Sequence, residues 1–127
     1  MLRAAFCSKF KSAETLLIWG DNSDMGELLG NLVALRRDER PSFVIAGGTW
    51  LTKVECRAVL GDQVSKLKGS PESVVWAISW DVLTETEELV KALLNSSAAH
   101  QYVDVQSDFI DVVMIAVNEY PATLRRD

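Results

Sequence analysis

The stretch 15–32, TLLIWGDNSDMGELLGNL, decides how this chain is read. Leu16 to Trp19 is a short apolar run and Gly20 to Asp24 a polar turn. Met25, Leu28, Leu29 and Leu32 then recur at i, i+3, i+4 and i+7, the spacing that puts side chains on one face of a helix. A strand leading directly into an amphipathic helix is predicted. Asp24 with Glu27 three residues on can form a capping box, and Ser23 is a competing N-cap. Gly26 and Gly30 weaken the helix, so burial of its leucine face must stabilise it.

Downstream, a charged loop from Arg36 to Arg40 closes at Pro41 and leads into a strand, Ser42 to Ala46. Gly47-Gly48 between two strand-like runs signals a hairpin, because tight primed turns need positive φ. In the second run Val54, Cys56, Ala58 and Leu60 alternate with Lys53, Glu55 and Arg57, which predicts a strand with one wet face. The same order of elements returns over 73–119. Val74 to Trp80 reads as a strand and Asp81 to Leu83 as a turn. Thr84 with Glu87 reads as a capping box opening a helix through Leu89, Val90, Leu93 and Leu94. Asn95 to Ala99 ends that helix, and Gln101 to Val105 and Asp111 to Val117 are the closing strands. Overlaid, Trp19 falls on Trp80, Glu27 on Glu88, Leu28 on Leu89 and Leu32 on Leu93, with Val54 on Val112 and Ala58 on Ala116.

The expectation is one α+β domain over 1–127, made of two tandem β-α-β-β units at 15–60 and 73–119. A linker over 61–72, with one helical turn through Val64 and Leu67, joins them. Each helix has one apolar stripe to bury. A two-layer sandwich follows, with a six- or seven-stranded mixed sheet and both main helices on one face. The run from Val112 to Val117 is apolar on both faces, so it belongs near the middle of the sheet or at a dimer interface. The opening segment carries Arg3, Lys9 and Lys11 and alternates Ala4, Phe6 and Ser8, which reads as a strand or extended arm packed on the domain.

Hydrophobic residues make up 48% and charged residues 24% of the 127, the balance of a globular chain with a sizeable core. The net charge of −5 repels phosphate backbones and anionic lipid, so nucleic-acid and membrane binding are disfavoured and a basic protein partner is favoured. No apolar run approaches the ~18 residues a membrane helix needs. Cys7 and Cys56 have neither disulfide-framework nor zinc spacing, which points to a reducing, cytoplasmic setting.

No catalytic, cofactor or metal site is expected. His100 is the single histidine, and no nucleophile elbow accompanies it. Gly47-Gly48 lacks the following helix and lysine of a phosphate loop. Arg36, Arg37, Arg40, Arg125 and Arg126 are interrupted by acids and lack interleaved aromatics, unlike an RNA platform. What gathers instead is acid at the two strand-to-helix junctions: Asp21 and Asp24 in the first, and Asp81, Glu85, Glu87 and Glu88 in the second. Capping and the helix dipole explain individual members; the cluster also suits an acidic surface that steers a basic partner. Of the four tryptophans, Trp50 after the Gly-Gly turn is the one placed to cover a sheet end or act as a partner hot spot.

The second unit, with its helix after Trp80-Asp81, then His100 to Asp104 and the apolar strand ending Asn118-Glu119-Tyr120-Pro121, resembles small acidic bacterial immunity proteins of polymorphic and contact-dependent toxin systems. That resemblance implies a stoichiometric inhibitor that occludes a basic toxin domain. The expected function is a non-enzymatic protein-binding domain acting through Asp21, Asp24, Asp81, Glu85 and Glu88, with Trp50 at the rim. The alternatives are a structural or regulatory homo-oligomer, such as a homodimer, and a small-molecule-binding domain.

Overall fold

A computed structural model describes residues 1–47, 53–59 and 64–121. The elements run β1 (Arg3–Phe10), β2 (Ala13–Gly20), α1 (Asn22–Arg36), β3 (Ser42–Ala46), β4 (Lys53–Ala58), β5 (Lys66–Ser70), β6 (Ser73–Ile78), α2 (Trp80–Leu93), β7 (Ala99–Asp104) and β8 (Val112–Val117). The α+β class holds, but the strands form two four-stranded sheets, ordered β1-β2-β8-β7 and β3-β4-β6-β5, in place of the single sheet expected. In each, the two central strands run parallel (β2 with β8, β4 with β6) and each edge strand is antiparallel to its neighbour.

The order β-β-α-β-β occurs twice along the chain, one strand more per unit than the sequence suggested. Each half is a hairpin, a helix and a second hairpin, and each sheet joins the first hairpin of one half to the second hairpin of the other. The added strands are the N-terminal segment, expected as a strand or extended arm and observed as β1, and part of the supposed linker, where Lys66–Ser70 is the strand β5 and Leu67 is not in the expected helical turn. Only Leu67 of β5 points inward, between exposed Lys66 and Lys68, so this strand has almost no apolar periodicity of its own. Pairing with β6 organises it.

The correct overlay also differs. Equating the pairs Leu16–Val113 and Val74–Val54 places Leu16 on Val74, Met25 on Leu83, Leu28 on Thr86, Leu32 on Val90 and Leu35 on Leu93. All ten of these side chains are buried. Trp19 then falls on Ala77, three residues before Trp80. Three residues is nearly one helical turn, so helix periodicity alone cannot tell the two registers apart. In β8 the slip is one residue, since Val54 matches Val113 and not Val112; one residue exchanges the two faces of a strand.

Both helices begin earlier than expected. Asp21, extended at φ −93°, is the N-cap of α1; its side chain accepts from Asp24 N at 2.9 Å while Asp24 Oδ2 accepts from Asp21 N at 2.9 Å. The capping box is therefore Asp21 with Asp24, not Asp24 with Glu27. Ser79 caps α2, so Trp80 is helical and Asp81 to Leu83 is its first turn. Thr84 sits inside the helix, with its hydroxyl donating to Trp80 O.

The helices lie antiparallel. Asn22 Nδ2 at the start of α1 donates to Leu94 O and Ser96 O beyond the end of α2, and Arg36 at the end of α1 reaches Glu87 of α2. Leu28, Leu32, Leu83, Val90, Ile18, Ile115, Val54 and Trp76 contribute to one core shared by both helices and both sheets. The sheets approach along two seams: a bridge between Ala4 and Gly47, and Leu67 N donating to Gln106 O at 2.9 Å. None of the described helices is long and apolar enough to cross a membrane.

The strand with two apolar faces, β8, is interior, as its composition requires. Val113, Ile115 and Val117 face the shared core, while Met114 and Ala116 join Ala5, Leu17 and Trp19 in a second cluster on the outer face of the first sheet. The chain itself covers that face. Past β8 the backbone turns at Asn118, Tyr120 packs on Phe10 with ring centroids 5.9 Å apart, and Trp19 Nε1 donates to Pro121 O at 2.9 Å. A dimer interface is not needed to bury it.

Candidate functional site

The antiparallel helices separate the two acidic clusters. Asp21 and Asp24 sit where α1 starts, beside the end of α2, and Asp81 and Glu85 lie at the opposite end of the helix pair. They are not equivalent under the duplication either: Asp21 corresponds to Ser79 and Asp24 to Val82 in the correct overlay.

The first cluster is structural in its contacts. Asp24 is 8% exposed and lies 2.8 Å from the Met1 ammonium. Burial pushes its carboxyl up, but the ammonium and the Asp21 backbone N–H more than offset that and hold it below the ordinary carboxylate value. Asp21 is exposed, with its side chain committed to the cap. A groove of about 200 Å³ lies here, lined by Arg3, Trp19, Asp21, Asp24, Asn118 and Tyr120 among others.

The second cluster makes a surface. Asp81, Glu85 and Glu88 fall at i, i+4 and i+7, so they form one stripe along α2, and all three are exposed. Glu88 is partnered by Lys91 at 3.0 Å; Asp81 and Glu85 have no ion pair among the described residues. Glu87, read from sequence as a cap, is instead buried, held by Arg36 at 2.6 Å. At the head of the stripe stands Trp80, 60% exposed. Sequence reasoning placed Trp80 in a strand and missed it. The signal was Ser79, whose hydroxyl caps α2 and accepts from Val82 N, while Ser79 N donates to Ser65 Oγ at 2.6 Å. Trp50 lies outside the described residues.

His100 accompanies Glu119, with Nδ1 2.7 Å from Oε1, and meets the Tyr102 ring edge-on at 5.2 Å. Both belong to the outer surface of the first sheet and help to hold the segment after β8. Burial, and then the Glu119 charge, push the Tyr120 phenol up. Among the described residues no group of three or more His, Cys, Asp and Glu side chains is placed to hold a metal ion. A second groove, of about 530 Å³, runs along the β5 seam between Lys66, Lys68, Gln106 and Asp108.

No protein-family model, curated protein or solved structure matches this chain.

Proposed function

We propose that this chain is a non-enzymatic, protein-binding domain that neutralises a basic toxin by covering it, in the manner of an immunity protein, from the cytoplasm of a bacterial cell. The observation that carries the reading is Trp80, 60% exposed at the head of the acidic stripe Asp81, Glu85 and Glu88. An exposed tryptophan gives a partner a large apolar surface to bury, and tryptophan is among the residues most enriched at binding hot spots. The carboxylates around it give the partner its sign: a basic surface, steered in at low salt and released as salt screens the field. Trp80 thus takes the rim position that sequence reasoning assigned to Trp50, and Asp81, Glu85 and Glu88 carry the acidic contribution. Asp21 and Asp24 lie at the far end of the helices and serve α1 first.

The test is calorimetric titration with a basic toxin domain. A one-to-one complex is expected, with Trp80→Ala weakening it by about 2 kcal/mol or more and E85K/E88K slowing association. Unchanged affinity in both variants, or heat signals insensitive to salt, would overturn the reading.

A further inference from the structure

The outer face of the second sheet, pointing away from the helices, has the opposite sign to the rest of the chain. Register across the four strands aligns Val44, Glu55, Val75 and Lys68 in one row and Ser42, Arg57, Ala77 and Lys66 in the next. Lys53, Arg57, Lys66 and Lys68 are all exposed there. Of the carboxylates beside them, Glu55 is bound to Arg57 and Asp108 lines the groove next to Lys66 and Lys68. On a chain of net charge −5, four cations against two acids, Glu55 and Asp108, still make a basic surface. Its relief is specific. The central strand β6 contributes small side chains, Ser73, Val75 and Ala77, flanked by cation-bearing β4 and β5 about 10 Å apart. Lys66 and Lys68 repeat every ~7 Å along β5, the spacing at which alternate residues of an extended chain recur.

The other half of the molecule displays what lies on such a face. The duplication equates Val75 with Leu17, Ala77 with Trp19, Glu55 with Met114 and Arg57 with Ala116. In the first sheet these apolar residues are covered by a segment of the chain itself, Asn118 to Pro121, with Tyr120 against Phe10. In the second sheet the same positions are charged or small, and Val44 at the edge is 56% exposed. We infer that this face is a docking site for an extended acidic segment of another protein, laid along β6 with its carboxylates on Lys66, Lys68, Lys53 and Arg57. Among the described residues the face has no aromatic side chain for base stacking, which sets it apart from single-stranded nucleic-acid platforms. The site is independent of the α2 stripe, which lies on the helix layer.

A fluorescently labelled peptide of alternating glutamate and valine, long enough to span β6, tests this by anisotropy at low and moderate salt. Saturable binding is expected, weakened by salt and weakened at least about tenfold by K66E/K68E, while E85K/E88K binds as wild type does. Amide shifts in the wild-type protein should cluster on Lys68, Val75 and Ala77. If K66E/K68E loses its cooperative thermal transition, K66Q/K68Q replaces it with the same expectation. The inference is overturned by absence of saturation, by equal binding to the folded charge variants, or by shifts elsewhere. It is also overturned if a single-stranded oligonucleotide or phosphatidylserine vesicles bind this face more tightly than the peptide. Sedimentation showing that a second copy of the chain occupies it, with K66E/K68E dissociating the pair, would overturn it too.

Discussion

Arg36 Nε donates to Glu87 Oε2 at 2.6 Å, tying the last turn of α1 to the middle of α2 with a carboxylate whose side chain is only 5% exposed. The two ends of this contact are unequal. Arg36 keeps partial access to water, whereas Glu87 has left it, so the charge that suffers from separation is the carboxylate. The duplication puts Leu29 at the position of Glu87, which means the pair belongs to one half only.

Arg36→Met should therefore destabilise more than Glu87→Gln, lowering Tm by roughly 5 °C or more at neutral pH. The double variant Arg36→Met/Glu87→Leu should recover most of the loss, because a buried ion pair is readily replaced by apolar residues of similar volume. A double-mutant cycle by thermal unfolding reads the coupling; equal, additive losses would remove it.

Asp24 gives acid sensitivity. Its folded pKa lies below its ordinary 3.8, so its contribution to stability is complete above that value and vanishes as pH falls through the depressed one. Asp24→Asn should cost about 1 kcal/mol at pH 7, as loss of a helix cap does, and almost nothing at strongly acidic pH. Urea midpoints across that range check the sign: a deficit that grows on acidification would contradict it.

A cheap stabilisation is available at Gly30. It is exposed in the interior of α1, and a Cβ there would meet nothing within 4 Å beyond its chain neighbours and the adjacent helix backbone. Gly30→Ala should add about 0.5–1 kcal/mol by reducing the freedom of the unfolded chain and improving helix propensity. Chemical denaturation should show a higher midpoint at unchanged slope.

Tyr120 holds the cover of the first sheet. Tyr120→Ala removes its packing on Phe10 and exposes part of the cluster containing Leu17 and Met114. A loss of about 1–2 kcal/mol is expected for this half-buried ring, with new binding of a hydrophobic dye to the folded protein. Dye binding equal to wild type would mean that the face stays covered by other means.

The two thiols should separate in labelling. Cys56 is fully buried, and burial pushes its thiol far up; Cys7 is partly buried and raised by the same cause. At mildly alkaline pH a thiol reagent should leave Cys56 untouched in the folded protein and modify Cys7 more slowly than a free thiol, while both react in denaturant. Mass spectrometry distinguishes them.

Much of this was open to inspection in the sequence because it is local. The alternation in β4, the leucine stripe of α1, the strand β2 and the unbroken apolar run of β8 each report a period and a burial, and each lies where it was expected. The acids of α2 were legible as residue types, but their sorting was not. Whether Glu87 turns inward while Glu85 and Glu88 turn outward depends on where Ser79 starts the helix and on which helix lies alongside. Trp80 was misplaced for the same reason, since a residue at a strand-to-helix boundary takes its direction from the cap.

The sequence by itself determined the α+β composition and the apolar runs of β2 and β8. Tertiary structure alone decided how the hairpins are shared. The strand β2 carries apolar residues on both faces, Leu16 and Ile18 inward, Leu17 and Trp19 outward, and its central neighbour is β8, which does the same. The wet-faced β4 pairs with β6, whose outward residues Ser73, Val75 and Ala77 are small and partly buried. Matching strands by the number of faces they must bury keeps Lys53, Glu55 and Arg57 in water and Met114 out of it. The apolar runs of β2 and β8 state that both their faces must be buried, but the strand beside each is chosen by the whole chain.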